Sequence, residues 1–344
     1  MKKKVALIFG VTGQDGSYLT ELLLKKNYIV HGIKRRSSSP NTERLDHIFD
    51  SIDKKNKNFF IHYGDVTDSS NVTRVINLTK PNEIYNLAAQ SHVKVSFELP
   101  EYTANATALG ALRILEGIRS LKLNKKVKFY QASSSEMFGN PNKKPQNEKT
   151  VFKPKSIYGI SKVFAHLSTI NYREAYGLFA SNGILFNHES PRRGANFVTK
   201  KIIQGLTRIK RGKQKCLMLG NIYAKRDWGH ARDYVYAMWK ILQQKKPDDF
   251  VISTGKQVSV KEFINLSSKK IGIDILWKNK KLNEIGIDKE NNKIIIRIDK
   301  KYFREAEVDD LLGDFKKAKK IMKWTPKVSL NELIDEMIDE ENKV

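Results

Sequence analysis

Tyr158 and Lys162 stand four residues apart in the run SIYGISKVFAHL, a spacing that places both side chains on one face of a helix. An ammonium group close to a phenol lowers the pKa of the phenol from its ordinary value near ~10, which makes the tyrosine a usable base or acid near neutral pH. The spacing alone is weak evidence, because any helix can carry this pair on its surface. Its meaning depends on the elements around it.

A hydroxyl-rich run with one carboxylate ends the fifth predicted strand and consists of Ser133, Ser134, Ser135 and Glu136. Doubly wound sheets bind their ligands at the carboxyl edge, where this run falls. A hydroxyl there can hydrogen-bond a substrate oxygen beside the Tyr158 phenol, and the Glu136 carboxylate can serve as a general acid and base. The other interpretation is an ordinary strand exit, with Glu136 as a helix cap or a surface charge.

Three glycines, Gly10, Gly13 and Gly16 in GVTGQDG, follow the first predicted strand and open the first predicted helix. Glycine permits a tight turn and close approach of the backbone to a pyrophosphate, while the helix N-terminus offers free amides to an anion. With a strand before it and a helix after it, this turn predicts dinucleotide binding. The alternative is a glycine-rich turn that holds no ligand.

The second predicted strand ends in basic and hydroxyl residues, Lys34, Arg35, Arg36, Ser37 and Ser38. Folds that prefer NAD usually place an acid here to hold the ribose 2′-hydroxyl, whereas an arginine suits a 2′-phosphate. The sequence therefore favours NADP over NAD. A basic loop, or a loop used for subunit contact, is the alternative interpretation.

Two further segments are expected near the cofactor. Asp65 follows the third predicted strand and could accept a hydrogen bond from the adenine amine, although an Asp after a Gly is also an ordinary turn residue. The segment at the end of the fourth predicted strand should pass near the phosphates and ribose of the cofactor, and it comprises Leu87, Ala88, Ala89, Gln90 and Ser91.

The elements that must position these residues alternate between short β-branched runs and amphipathic helical stretches. Strands are predicted over 5–10, 29–34, 59–64, 83–89, 127–134 and 178–186, with helices over 18–26, 70–80, 107–121 and through Tyr158. This alternation predicts an α/β fold with a doubly wound parallel, Rossmann-type sheet.

Beyond about residue 187 the pattern loosens, and a smaller mixed α/β substrate domain is expected. A helix over 230–244 and a strand over 248–254 should rejoin the first domain, which is predicted to comprise residues 1–186 and about 227–255. The substrate domain is predicted to comprise about 187–226 and 256–344, with a helix in SVKEFINLSSKKIG, a strand in KIIIRID and helices near LLGDFKKAKKIM and SLNELIDEMIDE.

Composition fits a globular protein of about two domains: 344 residues, 40% hydrophobic and 29% charged. The formal charge of +26 raises the possibility of nucleic-acid binding, but the lysines are scattered, and the sequence has no zinc-ligand spacing and no heptads. A lysine-rich solvated surface is favoured, with a noncatalytic nucleic-acid binder as a remote alternative. The single cysteine, Cys216, excludes an intrachain disulfide, and with no apolar stretch near ~20 residues a cytoplasmic protein without a membrane span is expected.

The glycine turn, the hydroxyl and the YxxxK pair together resemble the extended short-chain dehydrogenase/reductase family. Longer sequence segments resemble one branch of it, the GDP-mannose 4,6-dehydratase family, from about residue 4 to about residue 335. Those segments are GVTGQDGSYL, HGIKRRSS, NTERLDHI, YNLAAQSHV, SFELPEYTA, YQASSSEMFG, GILFNHESPRRG, RDWGHARDYV, YFREAEVDDLLGD and KWTP. One departure is Ser134, where the family usually has threonine, so the methyl that restricts the rotamer is lost.

The resemblance implies a role for each matching residue. Ser134, Glu136 and Tyr158 are expected to be catalytic, with Lys162 tuning Tyr158 and holding the nicotinamide ribose. The NADP-contacting positions are expected to be Gly10, Val11, Thr12, Gly13, Gln14, Asp15, Gly16, Arg35, Arg36, Ser37, Ser38, Asp65, Val66, Leu87, Ala88, Ala89, Gln90, Ser91, Tyr102, Lys162, His188 and Arg193. Expected contacts to GDP-mannose are Ser91, Ser134, Glu136, Asn187, Lys201, Arg226, Arg304 and Glu307.

The implied activity is a hydro-lyase reaction that converts GDP-mannose to GDP-4-keto-6-deoxymannose through bound NADP, without a metal. It would place the protein in nucleotide-sugar metabolism, on the way to GDP-fucose or another deoxyhexose, as a homodimer or homotetramer. Two related activities stay open: a nucleotide-sugar 4-epimerase, which shares the glycine turn and the YxxxK pair, and a bifunctional dehydratase that also reduces its 4-keto product.

Overall fold

The structure is a computed structural model that describes residues 3–51, 58–141, 145–303 and 306–343. The strands are β1 Val5–Phe9, β2 Ile29–Lys34, β3 Phe59–Tyr63, β4 Glu83–Asn86, β5 Lys128–Ser134, β6 Phe179–Leu185, β7 Asn187–Glu189, β8 Leu217–Leu219, β9 Lys225–Arg226, β10 Trp228–His230, β11 Asp249–Ile252, β12 Val258–Ser259, β13 Ile275–Lys278, β14 Ile285–Asp288 and β15 Ile294–Ile298.

The helices alternate with these strands in the first half of the chain. They are α1 Gln14–Lys25, α2 Asp46–Ser51, α3 Ser69–Thr79, α4 Val95–Glu98, α5 Pro100–Thr103, α6 Gly110–Ser120, α7 Ile157–Tyr176, α8 Val198–Lys210, α9 Ala231–Leu242, α10 Val260–Ile271, α11 Lys316–Met322 and α12 Leu330–Asn342. A π-helical segment, Ala104–Leu109, joins α5 to α6, and short 3₁₀ turns cover Ser135–Met137, Lys281–Asn283 and Lys300–Tyr302. Among the described residues, no helix is long and apolar enough to cross a membrane.

A seven-stranded sheet in the order β11-β6-β5-β4-β1-β2-β3 organises the first half of the chain. Every pair of neighbours in it is parallel. Parallel strands with helical crossovers need cover on both faces, which explains why all five residues of β1 are apolar. The predicted doubly wound, Rossmann-type sheet is confirmed, including the return of the strand near residue 250 to its edge beside β6.

Two apolar clusters cover the two faces of this sheet. One contains buried side chains of α1, α9 and α11, with Trp324 among them. The other contains buried side chains of α3 and α6 together with Tyr172 of α7. Helix α7 is therefore fixed against β5 and β6 along its length, and the YxxxK pair that it carries faces the end of β5.

A second sheet, in the order β13-β14-β15-β8, lies in the later part of the chain. Its core is shared with α8, α10 and α12. Two-residue and three-residue strands form two small sheets, β7 with β10 and β9 with β12.

The predicted elements differ from the structure mainly at their ends. The first helix begins at Gln14, four residues before the prediction, because the glycine turn leads directly into it. The predicted helix over 107–121 begins as the π-helical segment and becomes α-helical at Gly110. Seven strands were not predicted, because five of them are only two or three residues long and the other two alternate only weakly: β7, β8, β9, β10 and β12 are the short ones, and β13 and β14 are the others.

Candidate active site

A cavity of about 960 Å³ lies at the carboxyl ends of β1, β4, β5 and β6. This is the edge at which parallel α/β sheets bind ligands. The four residues predicted to be catalytic all line it: Ser134, Glu136, Tyr158 and Lys162. Each of them is less than a tenth exposed. Residues from β5 and α7 are thus brought together in one buried group, here called the catalytic corner.

The N-terminus of α7 determines where Tyr158 lies. The Ser156 hydroxyl caps this helix by accepting a hydrogen bond from the Gly159 amide at 3.1 Å, so Tyr158 falls in the first turn. Gly159 also permits close contact with the turn after β5, since a Cβ there would lie 2.9 Å from the Glu136 carbonyl oxygen. The helix start and the carboxylate-bearing turn therefore touch.

Within the corner, the Ser134 hydroxyl hydrogen-bonds the Tyr158 phenol and also accepts from the Glu136 amide at 3.2 Å. The Lys162 ammonium donates to the Ala132 carbonyl at 2.7 Å and lies 5.8 Å from the centre of the Tyr158 ring. Strand β5 thus holds both members of the YxxxK pair.

The pKa values of this pair differ from the sequence prediction. Burial raises the pKa of Tyr158 to about 12, with the Glu136 carboxylate acting in the same direction and the Ser134 hydrogen bond and Arg193 acting against it. Burial also lowers the pKa of Lys162 to about 8. The net shift of the Tyr158 pKa is therefore opposite to the lowered value that the sequence predicted, because burial of the phenol outweighs the groups that lower its pKa.

The glycine turn has a shape that only glycine can adopt. Gly10 has φ +85°, and a Cβ on it would lie 2.9 Å from the Ala88 amide nitrogen. A Cβ on Gly16 would lie 2.4 Å from the Gly10 carbonyl oxygen. The turn therefore packs tightly against the end of β4 and presents bare backbone, with Gly10, Gly13, Gln14, Asp15 and Gly16 lining the cavity.

Asp15 and His188 form an ion pair beside this turn, in which the histidine is buried and the carboxylate is half-buried. His188 Nε2 lies 2.8 Å from Asp15 Oδ2, and its Nδ1 lies 2.8 Å from the Phe186 carbonyl oxygen. Both ring nitrogens face acceptors, so the imidazole carries both protons. Burial opposes that charge, but the Asp15 carboxylate raises the pKa of His188, and His188 in turn holds the pKa of Asp15 low against the effect of burial.

The remaining predicted cofactor residues divide between the cavity and its surroundings. Leu87, Ala89, Ser91 and Arg193 line the cavity. Lys34 and the predicted 2′-phosphate residues line a separate, smaller cavity of about 260 Å³, here called the basic pocket, which contains Arg35, Arg36, Ser37 and Ser38.

Some predicted residues line neither of these two cavities: Val11, Thr12, Asp65, Val66, Ala88, Gln90 and Tyr102. The Asp65 carboxylate accepts hydrogen bonds from the amide and the hydroxyl of Thr67, both at 2.9 Å, so it has the turn role that the sequence left open. Val66 packs in the core. The Tyr102 hydroxyl accepts a hydrogen bond from Arg35 at 2.6 Å, which ties it to the basic pocket.

The predicted substrate contacts Ser91, Asn187, Lys201, Arg226 and Glu307 also line the main cavity. Arg226 is buried and lies 3.4 Å from the Glu307 carboxylate. The Lys201 ammonium lies 3.5 Å above the ring of Tyr302. Arg304 lies outside the residues that the structure describes.

Several cavity-lining residues were missed from the sequence: Phe197, Gln204, Arg208 and Tyr302. The Arg193 guanidinium lies 3.5 Å from the centre of the Phe197 ring. The basic and aromatic residues of RRGANF were a weak signal for this contact. Nothing in the spacing of α8 indicated that Gln204 and Arg208 face the same cavity.

Fold and site together define a class. The parallel sheet with its glycine turn, and the Ser134, Tyr158 and Lys162 group at the end of β5, are those of an extended short-chain dehydrogenase/reductase. Within that class, the chain belongs to the GDP-mannose 4,6-dehydratase family, whose model matches residues 7–337. The confirmed resemblance thus extends over both the large sheet and the smaller one.

Individual relatives agree with this assignment. The chain is 54% identical to GDP-mannose 4,6-dehydratase of Vibrio cholerae over 354 residues, covering 100% of this chain and 95% of the relative. In fold it is similar to UDP-glucose 4-epimerase of Thermotoga maritima with UDP-glucose (TM-score 0.81, 23% identity, 98% and 99% of the two chains). It is also similar to dTDP-glucose 4,6-dehydratase of Bacillus anthracis in complex with NAD (TM-score 0.78, 19% identity, 99% and 97%).

Proposed function

We propose that this protein is a hydro-lyase that converts GDP-mannose to GDP-4-keto-6-deoxymannose with loss of water. Family membership supports the substrate and the reaction. The single structural observation that carries the proposal is the buried Glu136 carboxylate beside Ser134 and Tyr158 in one cavity. A 4-epimerase has no use for a carboxylate base next to its tyrosine, whereas a dehydratase needs one.

A nicotinamide cofactor fits the residues present. The glycine turn forms a cradle that a Cβ at Gly10 or Gly16 would fill, and the amides at the start of α1 suit a pyrophosphate. Lys162 lies where it can hold the nicotinamide ribose. The ion pair of Asp15 with His188 lies where it can hold the glycine turn. When bound, the nicotinamide would supply a reversible hydride acceptor, so that hydride from carbon 4 of the sugar could return to carbon 6.

We infer that the cofactor is NADP. The basic pocket presents three cations and several hydroxyls, and none of its described lining residues is acidic. An arginine there matches a 2′-phosphate, whereas a 2′-hydroxyl is usually held by a carboxylate. Tyr102 supports the pocket by hydrogen bonding to Arg35.

Tyr158 accepts the proton of the 4-hydroxyl in the first step. Its pKa of about 12 means that it gives up its own proton only when positive charge compensates the phenolate. Arg193 acts in that direction, and so does its place in the first turn of α7, where the helix dipole favours an anion. Ser134 orients the 4-oxygen by hydrogen bonding.

Glu136 acts as the general base and then the general acid of the elimination. The 4-ketone acidifies the proton on carbon 5, which the Glu136 carboxylate removes and then delivers to the departing 6-hydroxyl as water forms. The proton taken by Tyr158 returns to carbon 5 at the end, so that the 4-keto product and water balance the reaction. Burial of this group excludes bulk water from the reactive intermediate.

The candidate substrate contacts include charged and polar residues that line the cavity. Arg226 and Lys201 are candidates to hold the diphosphate, with Asn187 and Ser91 nearer the sugar. Tyr302, which packs against Lys201, offers a ring for stacking or for closing the cavity.

We propose two domains and a homo-oligomer. The cofactor domain comprises 1–186 and about 227–255, and the substrate domain comprises about 187–226 and 256–344. Residues 315–324 are an exception to these bounds: α11 packs on β11 and contributes to the core of the large sheet, so we assign this segment to the cofactor domain. An exposed apolar stripe on α7, Ile160, Phe164 and Leu167, supports a homodimer or homotetramer.

The experiment is incubation of the purified protein with GDP-mannose, first without cofactor and then with added NADP, followed by mass spectrometry of the product. We expect loss of one water. A product of unchanged mass would support the epimerase, and formation of GDP-rhamnose on adding excess NADPH would reveal a second, reductive activity. Failure to convert GDP-mannose in either arm would contradict the proposal.

A further inference from the structure

His166 continues the stripe of α7 that carries the YxxxK pair, one turn beyond Lys162. It is only 3% exposed, and the reaction described above does not use it. Its Nδ1 lies 3.0 Å from the hydroxyl oxygen of Ser133, the residue just before Ser134. This buried histidine therefore contacts the strand residue next to the catalytic serine, where it can fix the position of the β5 backbone.

The direction of this hydrogen bond follows from the residues behind it. The Asn182 amide nitrogen donates to Asp249 Oδ1 at 2.8 Å and to the His166 carbonyl at 3.3 Å, so the Asn182 amide oxygen faces Ser133. The Ser133 hydroxyl therefore donates to that oxygen, at 3.2 Å. Having only one proton, Ser133 must accept from His166, which fixes the neutral imidazole as its Nδ1–H tautomer. Burial lowers the pKa of His166 to about 4, in agreement with a neutral ring.

The far end of this network is anchored by an ion pair. Arg173, near the end of α7, donates to both oxygens of Asp249 at 3.0 and 2.8 Å and also to the Ala180 carbonyl. Asp249 belongs to β11 and Asn182 to β6. A continuous polar network therefore joins α7 to β5, β6 and β11 beneath the cavity.

Ser133 lies at the point where this network meets the catalytic corner. On one side of it, the Ala132 carbonyl accepts from Lys162, and on the other, the Ser134 hydroxyl bonds the Tyr158 phenol. Fixing Ser133 therefore fixes the backbone that places both contacts. This matters because a serine side chain rotates more freely than threonine, so the placement of Ser134 depends on its backbone.

We propose that His166 is a positioning residue of this active site: through Ser133 it holds the register of α7 on β5, and so the placement of Tyr158 against Ser134. The inference rests on the proposed function for its kinetic test, but the hydrogen-bond arrangement itself can be tested without any activity. With this role, His166 becomes a third functional residue on the face of α7 that carries Tyr158 and Lys162.

The kinetic test compares two substitutions at one position. His166→Leu removes the donor, whereas His166→Asn retains an N–H group at nearly the position of Nδ1. In His166→Leu we expect kcat to fall between about tenfold and about 100-fold, since small misplacements of reacting groups cost on this order, with KM for GDP-mannose within about twofold. His166→Asn should recover most of the lost kcat.

A matched control is Thr169→Val, a buried residue one turn further along α7 whose hydroxyl bonds only the Ala165 carbonyl within its own helix. It should lower thermal stability without lowering kcat. If His166→Leu loses no more activity than Thr169→Val, or if His166→Asn is as impaired as His166→Leu, the positioning role is overturned.

The second readout is nitrogen NMR of the imidazole rings in the ¹⁵N-histidine-labelled full chain near pH 7, with His166→Asn used to assign the signal. The structure predicts a neutral ring with its proton on Nδ1. A charged ring, or a proton on Nε2, would overturn the inference whether or not the protein converts GDP-mannose. If the NMR result is as expected but the wild-type protein makes no dehydrated product, the proposed function fails and the network stands.

Discussion

The catalytic corner and the basic pocket use charge in opposite ways. In the corner, Tyr158 and Lys162 are almost completely buried, and burial shifts the pKa of one up to about 12 and of the other down to about 8. In the basic pocket, Arg35 and Arg36 are exposed to solvent. Buried groups respond strongly to small changes in position and charge, whereas exposed cations attract an anion with modest, salt-screened energy.

This difference predicts that substitutions in the corner stop the reaction, whereas those in the pocket change only which cofactor binds and how tightly. The four substitutions below test that contrast, beginning with the largest expected effect.

Tyr158→Phe removes the proposed proton acceptor for the first oxidation. We expect kcat to fall by about 10³-fold or more, within the range of general-base contributions. Rapid-mixing absorbance with GDP-mannose should detect no transient NADPH. Tyr176→Phe, at the exposed end of the same helix, is the control and should behave as wild type. Normal NADPH formation in Tyr158→Phe would remove the tyrosine from its assigned step.

Glu136→Gln keeps the size of the side chain but removes the proposed base for the proton on carbon 5. Turnover should fall by about 10²-fold to 10³-fold while GDP-mannose still binds, because the elimination is blocked after the first oxidation. Quenched reactions should contain the 4-keto sugar with its 6-hydroxyl still present. The exposed Glu174→Gln on α7 is the matched control. Wild-type turnover in Glu136→Gln would mean that another group performs the elimination.

The sequence predicted the parts of the site that depend on local spacing. The glycine turn, the strand exit at Ser134 and the YxxxK pair each lie within one loop or one helix, so a short pattern contains all the information needed. The parallel sheet was predictable for the same reason, since strand and helix periodicities are local.

Long-range contacts and burial were not predictable in this way. Asp15 and His188 form their ion pair across 173 positions of the chain, and no spacing indicates it. The sign of the Tyr158 pKa shift depends on how much water the folded chain removes, which the helical spacing does not specify. Tyr302 lines the cavity while its backbone packs closely over Gly220, where a Cβ would lie 2.4 Å from the Tyr302 carbonyl oxygen, and this contact joins distant parts of the chain.

Lys162→Met tests the buried side of the comparison through stability. The native pKa of about 8 lies below the ordinary value of 10.5, so between these pH values the unfolded chain holds a proton that the native chain has lost. The wild-type free energy of unfolding should therefore gain roughly 1.4 kcal/mol per pH unit from this group as pH rises from 8.

Measurements of denaturant unfolding between pH 8 and 9 isolate this effect, because Tyr158, whose pKa is 10.0 when unfolded and about 12 when folded, keeps its proton in both states over that window. The gain should be absent in Lys162→Met, whereas the exposed Lys155→Met should keep it. If the free energy of unfolding changes equally with pH in wild type and in Lys162→Met, burial does not lower the pKa of Lys162.

Arg35→Ala tests the exposed side and should have the smallest effect. We expect the NADP dissociation constant to rise by about tenfold, as for loss of one charge-assisted hydrogen bond, with NAD affinity nearly unchanged. The difference from wild type should shrink at high salt. Lys125→Ala, an exposed lysine elsewhere, serves as the control. Equal losses for NADP and NAD would argue against a 2′-phosphate contact.

The central claim is that one buried group of residues both oxidises carbon 4 and eliminates the 6-hydroxyl, with hydride passing within the site. GDP-mannose labelled with deuterium at carbon 4 tests it directly, by mass spectrometry and NMR of the product. We predict loss of one water and the appearance of the deuterium at carbon 6. Deuterium lost to solvent, retained at carbon 4, or found in a product of unchanged mass would contradict the account.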